Sequence, residues 1–136
     1  MVRVLNINQE VYNGTAAWEY PYKGEHARFR ITRALAYHSD KGINTHWAMR
    51  EHVDGPLIGL IAVYEPPEEQ GTVYLSYWIS PEHSGKGHTS RAAAFVKDEI
   101  AIKGMGAKVF IASAFTWNMA SRRILEKLRM ESVEST

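Results

Sequence analysis

The stretch from Ser80 to Ser90 most constrains the fold, because it joins an apolar run to a segment of helical period. The run before it, Val73 to Ile79, is typical of a strand, and the segment after it, about His88 to Lys103, has apolar residues at helical spacing. Gly85 and Gly87 lie between the two. The sequence therefore predicts a strand that ends in a glycine-rich turn, and a helix that begins at this turn.

This turn has the features of a short phosphate-binding loop. Glycines have no Cβ, so the backbone can adopt positive φ, and the first N–H groups of the helix point toward a bound anion. Lys86 adds a mobile positive charge. A polar turn whose glycines only permit the bend is the alternative. The Walker loop and the dinucleotide fingerprint do not fit, because Gly87 follows Lys86 and Ser90 stands at the place of the third glycine.

Length and composition limit the class of protein. A chain of 136 residues predicts a single domain, residues 1–136, that can bury its own core. Its 16 basic and 15 acidic residues nearly balance, which argues against nucleic-acid binding. It has no cysteine, and its six histidines lack the i, i+4 pairing of a helical metal site, so no metal is expected. No apolar run reaches the ~18 residues of a membrane span and the start lacks a signal-peptide core, so we expect a cytoplasmic protein without a membrane partner.

Helical and strand patterns alternate along the chain and predict an α/β fold. A first helix is expected from Gly24 through about Ala36, and a last helix begins near Asn118, a good cap residue. The predicted strands are Ile43–Glu51, Pro56–Glu65, Thr72–Ser80 and a buried strand Lys108–Ala114. We expect a mixed, largely antiparallel sheet in which the second strand is central and a helix joins the last two strands.

Periodicity also predicts which side chains face the core. On the third strand Val73, Leu75, Tyr77 and Ile79 are expected to pack, whereas Tyr74, Ser76, Trp78 and Ser80 can line a cleft. The helices are expected to pack through Ala27, Ile31 and Leu35, through Ala92, Phe95, Val96 and Ile100, and through Ile124, Leu125 and Leu128.

These residues resemble the GNAT superfamily of N-acetyltransferases, and within it the branch similar to ribosomal-protein alanine N-acetyltransferases. The first motif, Tyr-Trp-(apolar)-x-Pro-Glu followed by Gly-Lys-Gly and an alanine-rich helix, is matched by Tyr77 to Glu82, Gly85 to Gly87 and Ala92 to Ala94. The second, Asn-x-x-Ser before an apolar helix, is matched by Asn118 and Ser121. The resemblance implies a single acetyltransferase-like domain with flanking helices and a splayed central strand pair.

The resemblance also implies a cosubstrate, acetyl-coenzyme A, and residues that bind it. The backbone amides around the turn would bind its pyrophosphate, the strand end at Ile79 would pair with its pantetheine arm, and Asn118 would hydrogen-bond that arm. The implied binding residues are Ile79, Ser84, Gly85, Lys86, Gly87, His88, Thr89, Ser90, Asn118 and Arg122. Arg122 would reach the nucleotide's phosphates, although basic residues on such a helix are commonly only a solvated face.

The chain departs from the family pattern at several places. Ser84 stands where Arg, Gln or Trp is usual, Thr89 where Gly or Ala is usual, and Arg129-Met130 replaces a Gly-Phe ending. We also expect a fold shortened at both ends, with a reduced first strand and no closing hairpin. An exposed strand edge tends to find a partner, so the sequence predicts a homodimer, or else a shortened relative with altered activity.

The resemblance implies acetyl transfer to a primary amine, either a protein N-terminus or a small amino compound. No carboxylate lies on the third strand, and Leu125 replaces the tyrosine that many relatives use as the general acid. The catalytic candidates are therefore Tyr74, Glu65, His83 and Ser121, with His46 as a further one. Each also has a structural alternative as a surface, turn or helix-cap residue. A non-catalytic module that binds acetyl-CoA or CoA is the other functional hypothesis.

Overall fold

The computed structural model describes residues 24–114 and 118–132. Its elements, in chain order, are α1 (Gly24–Lys41), β1 (His46–Met49), β2 (Gly59–Tyr64), β3 (Thr72–Ile79), a 3₁₀ turn (Pro81–His83), α2 (His88–Phe95), a π-helix (Val96–Gly104) that continues α2, β4 (Val109–Ala112) and α3 (Met119–Lys127). The expected reduction of a first strand and the end of the chain at Thr136 concern segments outside the described residues.

The four strands form one sheet in the order β1-β2-β3-β4. Strands β1, β2 and β3 are antiparallel neighbours, and β3 pairs in parallel with β4. The parallel pair requires a crossover, which α2 and the π-helix supply. The predicted α/β class, with a mixed, largely antiparallel sheet and flanking helices, is confirmed, and β2 lies centrally as expected.

Strands β3 and β4 pair over only part of their length. Their pairing runs from Thr72 opposite Val109 to Leu75 opposite Ala112, whereas β3 itself continues to Ile79. Within the described residues, no strand pairs with Ser76–Ile79 on the side of β4, and we call this segment the open edge. The end of the pairing at Leu75 agrees with the predicted splayed strand pair.

The core lies between one face of the sheet and the helices α2 and α3. Val73 is completely buried and Leu75 is 7% exposed, and Tyr77 and Ile79 pack against the same cluster, as alternation predicted. On the other face Trp78 is only 4% exposed, so this part of the predicted cleft wall is buried. The core reaches α3 through Leu128, with Ile124 and Leu125 packed against it.

Helix α2 packs through smaller side chains than its periodicity predicted. Phe95 was expected to face the core but is 59% exposed, whereas Ala93 and Ala101 are fully buried. Ala93 and Phe95 lie about 200° apart around an α-helix, so the two cannot face the same side. The small alanines let the helix approach the sheet closely, and the predicted Phe95 contact is wrong for this reason.

Several predicted boundaries also differ from the structure. Helix α1 extends to Lys41 instead of about Ala36, because neither glycine nor proline interrupts it before Gly42. Strands β1 and β2 are shorter than predicted at both ends, whereas β3 begins at Thr72 as predicted and ends one residue early, at Ile79. The predicted buried strand Lys108–Ala114 is β4, Val109–Ala112, and none of its residues is buried. Among the strands of residues 24–114 and 118–132 it is the last in the sheet order, so only one of its edges is paired there.

Helix α1 covers the opposite face of the sheet from α2 and α3. Its Arg30 Nη2 donates at 3.5 Å to Oγ of Ser76, a β3 residue whose side chain is on that face. No residue of α1 is buried, and Ile31 and Leu35 remain 56% and 64% exposed, so the predicted apolar stripe faces the sheet but does not pack closely against it. The two side chains instead border a cavity of about 330 Å³ between α1 and the strands β1 and β2. The helix therefore leaves space above the sheet.

His46 is on the wall of this cavity. Its Nδ1 is 2.9 Å from Thr45 Oγ1, and its Nε2 is buried without a hydrogen-bond partner among the described residues. Burial, followed by the charges of Arg30 and Arg33, lowers the pKa of His46 to about 4. The imidazole is therefore neutral at physiological pH.

Within the described residues, no helix has the length and apolar character that crossing a membrane would require.

We expect the free energy of unfolding to fall as the pH drops from about 6.5 toward 4. The unfolded chain takes up a proton on His46 at the ordinary pKa of 6.5, whereas the folded protein does so only at about 4, so acid favours the unfolded state. The loss is about 2 kcal/mol, less than the full shift implies because the ring is partly exposed to water. Urea unfolding at pH 7 and pH 4.5 measures it. His46→Leu should lose correspondingly less stability between these pH values, and equal losses in the two proteins would contradict the assignment.

Candidate functional site

The turn predicted from the sequence directly follows the open edge. Ser80 N–H donates to the Ile58 carbonyl at 2.7 Å, which ties the start of the turn to the segment before β2. The chain then passes through the 3₁₀ turn and reaches Gly85 and Gly87, whose φ values are +77° and +83°. These angles are strained for other residues, so glycine at both positions allows the bend. We call residues 84–90 the glycine turn.

Helix α2 begins inside the glycine turn. Gly87 is its N-cap residue and has no side chain with which to accept a hydrogen bond from the first turn. An α-helix leaves its first N–H groups without partners inside the helix, and its dipole is positive at this end. Such N–H groups are the kind that bind anions, and the assignment of His88, Thr89 and Ser90 to a phosphate stays a prediction.

Basic side chains surround the glycine turn. Lys86 extends from it, and Arg91, which sequence analysis missed, contacts it through two bonds: Nη1 donates to the Lys86 carbonyl at 3.3 Å, and Nη2 lies 2.9 Å from His88 Nδ1. A Cβ at Gly87 would lie 2.8 Å from Arg91 Nη1. Arg91 follows Gly87 by one helical turn, and this spacing is the signal that could have identified it.

The carboxylate of Glu51 balances part of this charge. Glu51, in the loop after β1, binds His83 Nδ1 through Oε1, and the same oxygen lies 3.5 Å from Lys86 Nζ. The hydrogen bond from His83, with the nearby charge of Lys86, holds the pKa of Glu51 below its ordinary value. Glu51 is 32 residues from His83 in sequence, so no local pattern could have placed it there.

Two of the predicted catalytic residues lie at the other end of β3. The Tyr74 hydroxyl donates to Glu69 Oε2 at 2.6 Å, and this bond raises the pKa of the phenol. Glu65 accepts from Gly71 N–H at 3.0 Å and from the Tyr37 hydroxyl at 3.4 Å. Glu65 thus stabilises the turn between β2 and β3. The structure brings neither side chain to the glycine turn.

His83 and Ser121 lie nearer the open edge, whereas His46 lies on the wall of the cavity under α1. His83 is held beside the glycine turn by Glu51. Ser121, in the first turn of α3, is 9% exposed, and its Oγ lies 2.5 Å from the hydroxyl of Tyr77, a residue of the open edge. Sequence analysis assigned Tyr77 only a packing role, because its strand face points to the core.

Helix α3 is capped as the sequence predicted. Asn118 is its N-cap residue, and its Oδ1 accepts from Ser121 N–H at 3.2 Å. Arg122 is exposed and its Nη1 lies 3.8 Å from Met119 Sδ. Ile79 ends β3 at the far end of the open edge. The helix start and the strand edge are thus joined through the contact between Tyr77 and Ser121.

The described residues contain no cluster of three or more histidine, aspartate or glutamate side chains with the spacing to hold a metal ion. The site consists of backbone groups, basic side chains and hydroxyls.

Comparison with solved structures places this fold among acetyltransferases. The ribosomal-protein-S5-alanine acetyltransferase from Vibrio fischeri is similar with a TM-score of 0.74 and 16% identity, over 93% of this chain and 70% of the other. The same four values apply to a RimL ribosomal L7/L12 alpha-N-protein acetyltransferase in complex with coenzyme A. The microcin C7 self-immunity acetyltransferase MccE, in complex with acetyl-CoA and AMP, has a TM-score of 0.70 and 15% identity, over 93% of this chain and 69% of the other.

Sequence comparison gives the family. No curated protein matches the chain significantly. At the identities above, the solved structures establish the fold alone. A sequence model of the acetyltransferase (GNAT) domain, in contrast, matches residues 3–131. Since this match extends over nearly the whole length, the chain belongs to the GNAT acetyltransferase family.

Proposed function

We propose that this chain is an N-acetyltransferase, an acyltransferase that moves the acetyl group of acetyl-CoA to a primary amine. The observation that supports this proposal best is the position of the glycine turn, directly after the open edge of β3 and at the uncapped start of α2. A phosphate group and an extended arm of one ligand can bind to these two adjacent sets of backbone groups. The proposal treats residues 1–136 as one acetyltransferase-like domain.

The glycine turn is the proposed site for the pyrophosphate. Its amides from Gly85 to Ser90 would donate to phosphate oxygens, and Lys86 and Arg91 would add positive charge. Thr89 Oγ1, in the first turn of α2, is buried without a hydrogen-bond partner among the described residues. The backbone groups of the open edge would bind the pantetheine arm, with Asn118 at the start of α3 as a further contact.

Acetyl transfer requires a neutral amine, a polarised carbonyl and a proton for the leaving thiolate. Backbone N–H groups of the open edge would stabilise the oxyanion that forms when the amine attacks. Of the four predicted catalytic residues, Ser121 is best placed to act beside the open edge, because Tyr77 contacts it there. The contacts of Glu65 and Tyr74 support structural roles near the turn after β2, and the imidazole of His83 is already bound to Glu51.

The cavity under α1 supports a small, neutral acceptor. Arg30 lines this cavity and contacts Ser76, the first residue of the open edge, from the face opposite α2 and α3. An apolar wall and an arginine disfavour an ammonium ion, so an amine bound there would lose its proton more easily. We propose that the body of the acceptor occupies this cavity and its amino group points toward Ser76.

The second candidate function is a non-catalytic module that binds acetyl-CoA or CoA. Two observations favour it. Leu125 packs against the core at the place where many relatives have a tyrosine. The carboxylate of Glu65 already accepts a hydrogen bond from Gly71 N–H in the turn after β2. Positioning and oxyanion stabilisation supply much of the rate in acyl transfer, which favours the enzyme. A cytoplasmic location and a homodimer remain predictions from the sequence under both functions.

We expect acetyl-CoA to bind with micromolar affinity, roughly −8 kcal/mol, in isothermal calorimetry. Gly87→Trp should abolish binding, because its side chain fills the space at the start of α2 and meets Arg91. Gly42→Trp is the matched control, since Gly42 also has positive φ but lies at the end of α1 in open space. Absence of binding to the unaltered protein at millimolar acetyl-CoA would refute both candidate functions.

Glu51→Gln should tighten acetyl-CoA binding several-fold. The carboxylate of Glu51 lies near the proposed phosphate site and pairs with Lys86, so its removal ends a repulsion and frees a cation. The gain should shrink as salt is raised, because the groups are exposed. Calorimetry at two salt concentrations measures both effects. Weaker binding in the variant would show instead that Glu51 positions Lys86 for the ligand.

A panel of acceptors tests the reaction itself. Acetyl-CoA is mixed with peptides that have free N-termini, with amino acids, with small apolar amines and with polyamines, and release of free thiol is followed. We expect release with primary amines and none with the corresponding alcohols, and Gly87→Trp should be inactive throughout. Turnover on alcohols alone would refute the amine acceptor. Binding of acetyl-CoA without thiol release from any acceptor would favour the non-catalytic module.

A further inference from the structure

The side chains of Tyr77 and Ser121 meet where the open edge packs against the start of α3. The Tyr77 hydroxyl lies 2.5 Å from Ser121 Oγ and 3.4 Å from the Ser121 carbonyl oxygen. The first distance is at the short end for two hydroxyl groups, and Ser121 is buried. The two residues are 44 positions apart in sequence, so only the packing of α3 against β3 joins them.

Both side chains are held in place by their surroundings. Asn118 Oδ1 accepts from the backbone N–H of Ser121 and fixes the first turn of α3. The ring of Tyr77 packs against the core, and its backbone is paired with Ile61 of β2. The hydroxyl contact is therefore part of a rigid arrangement.

Tyr77 keeps its proton at neutral pH. Burial raises the pKa of its phenol above the ordinary value of 10, and the hydrogen bond with Ser121 opposes this only in part. A phenol is also a better proton donor than an aliphatic hydroxyl. When the phenol donates to Ser121 Oγ, the hydroxyl proton of Ser121 can point elsewhere.

We propose that Tyr77 and Ser121 form a proton relay to the sulfur of coenzyme A, in which Tyr77 acts through Ser121. This inference rests on the proposed function. The amine nitrogen bonds to the acetyl carbon and the carbon–sulfur bond breaks. The sulfur takes the proton of Ser121 Oγ, Oγ takes the proton of Tyr77, and water returns a proton to the phenolate while the new amide nitrogen releases its extra proton to water.

The relay explains how the chain manages without a tyrosine on α3. Leu125 packs against the core, and the described part of α3 contains no tyrosine. Tyr74, the other tyrosine of β3, faces away from α3 and is bonded to Glu69. Tyr77 is thus a strand tyrosine whose hydroxyl reaches the start of α3. It is a positioning residue, and Ser121 is the group expected to contact the sulfur.

The experiment compares Tyr77→Phe with the unaltered protein in single-turnover acetyl transfer, with the best amine of the acceptor panel. Phenylalanine retains the packed ring, so acetyl-CoA should bind as before in calorimetry. The transfer rate should fall roughly 10- to 100-fold, at or below the lower limit for direct loss of a proton-transfer group, because Tyr77 acts only through Ser121. Tyr64→Phe is the matched control, because it removes a hydroxyl from β2 on the opposite face of the sheet.

Two further readouts distinguish a relay from a structural role. The double variant Tyr77→Phe/Ser121→Ala should react no more slowly than Ser121→Ala alone, because Tyr77 acts only through Ser121. In mixtures of H₂O and D₂O, the dependence of the rate on deuterium content should be curved for the unaltered protein, in which two protons move, and linear for Tyr77→Phe.

The outcomes separate the two proposals. If the unaltered protein transfers acetyl groups and Tyr77→Phe has the same rate and the same curved isotope dependence, the relay is refuted while the proposed function stands. An additive loss in the double variant also refutes it. If the unaltered protein binds no acetyl-CoA or releases no thiol, the proposed function fails and the relay fails with it.

Discussion

The short parallel pairing of β3 with β4 is the constraint on which the candidate site depends. Once the pairing ends at Leu75 and Ala112, the remaining part of β3 has backbone polar groups on one side that no strand of the described residues pairs with. Buried backbone groups require hydrogen bonds, so an edge next to the core must be satisfied by water or by a ligand. The glycine turn and the start of α3 both lie next to this edge, so backbone amides, basic side chains and hydroxyl groups surround it.

The two faces of the sheet have different packing and, in our proposal, different tasks. Beneath α2 and α3 the core is dense, and alanines let the helices approach the sheet. Beneath α1 a cavity remains, and no residue of that helix is buried. A rigidly packed face can keep the phosphate-binding amides, the hydroxyl groups and the open edge at fixed distances from one another. A looser face suits an acceptor that must enter and leave, since elements with few buried contacts open at low cost.

Much of the fold could be predicted because its signals are local. The alternation of β3, the glycines after it and the cap residue Asn118 lie within a few positions of the structure they specify. The local signals failed where tertiary contacts set the outcome. Periodicity alone could not reveal that Ala93 would face the core in place of Phe95. Both faces of helix α2 have apolar side chains, and which face packs depends on how closely the helix approaches the sheet.

By itself, the sequence determined the glycine turn, the helix cap at Asn118 and the order of the strands and helices, because short spacings specify turns and caps. The resemblance to the family added Asn118 and Ser121 to the candidate site. Only the tertiary structure brought Glu51 to Lys86 and Tyr77 to Ser121. These pairs are far apart in the chain, and sheet register and helix packing decide whether they meet. The sequence showed that α3 lacks a tyrosine, whereas the fold shows a tyrosine hydroxyl at the start of that helix, because β3 and α3 pack against each other.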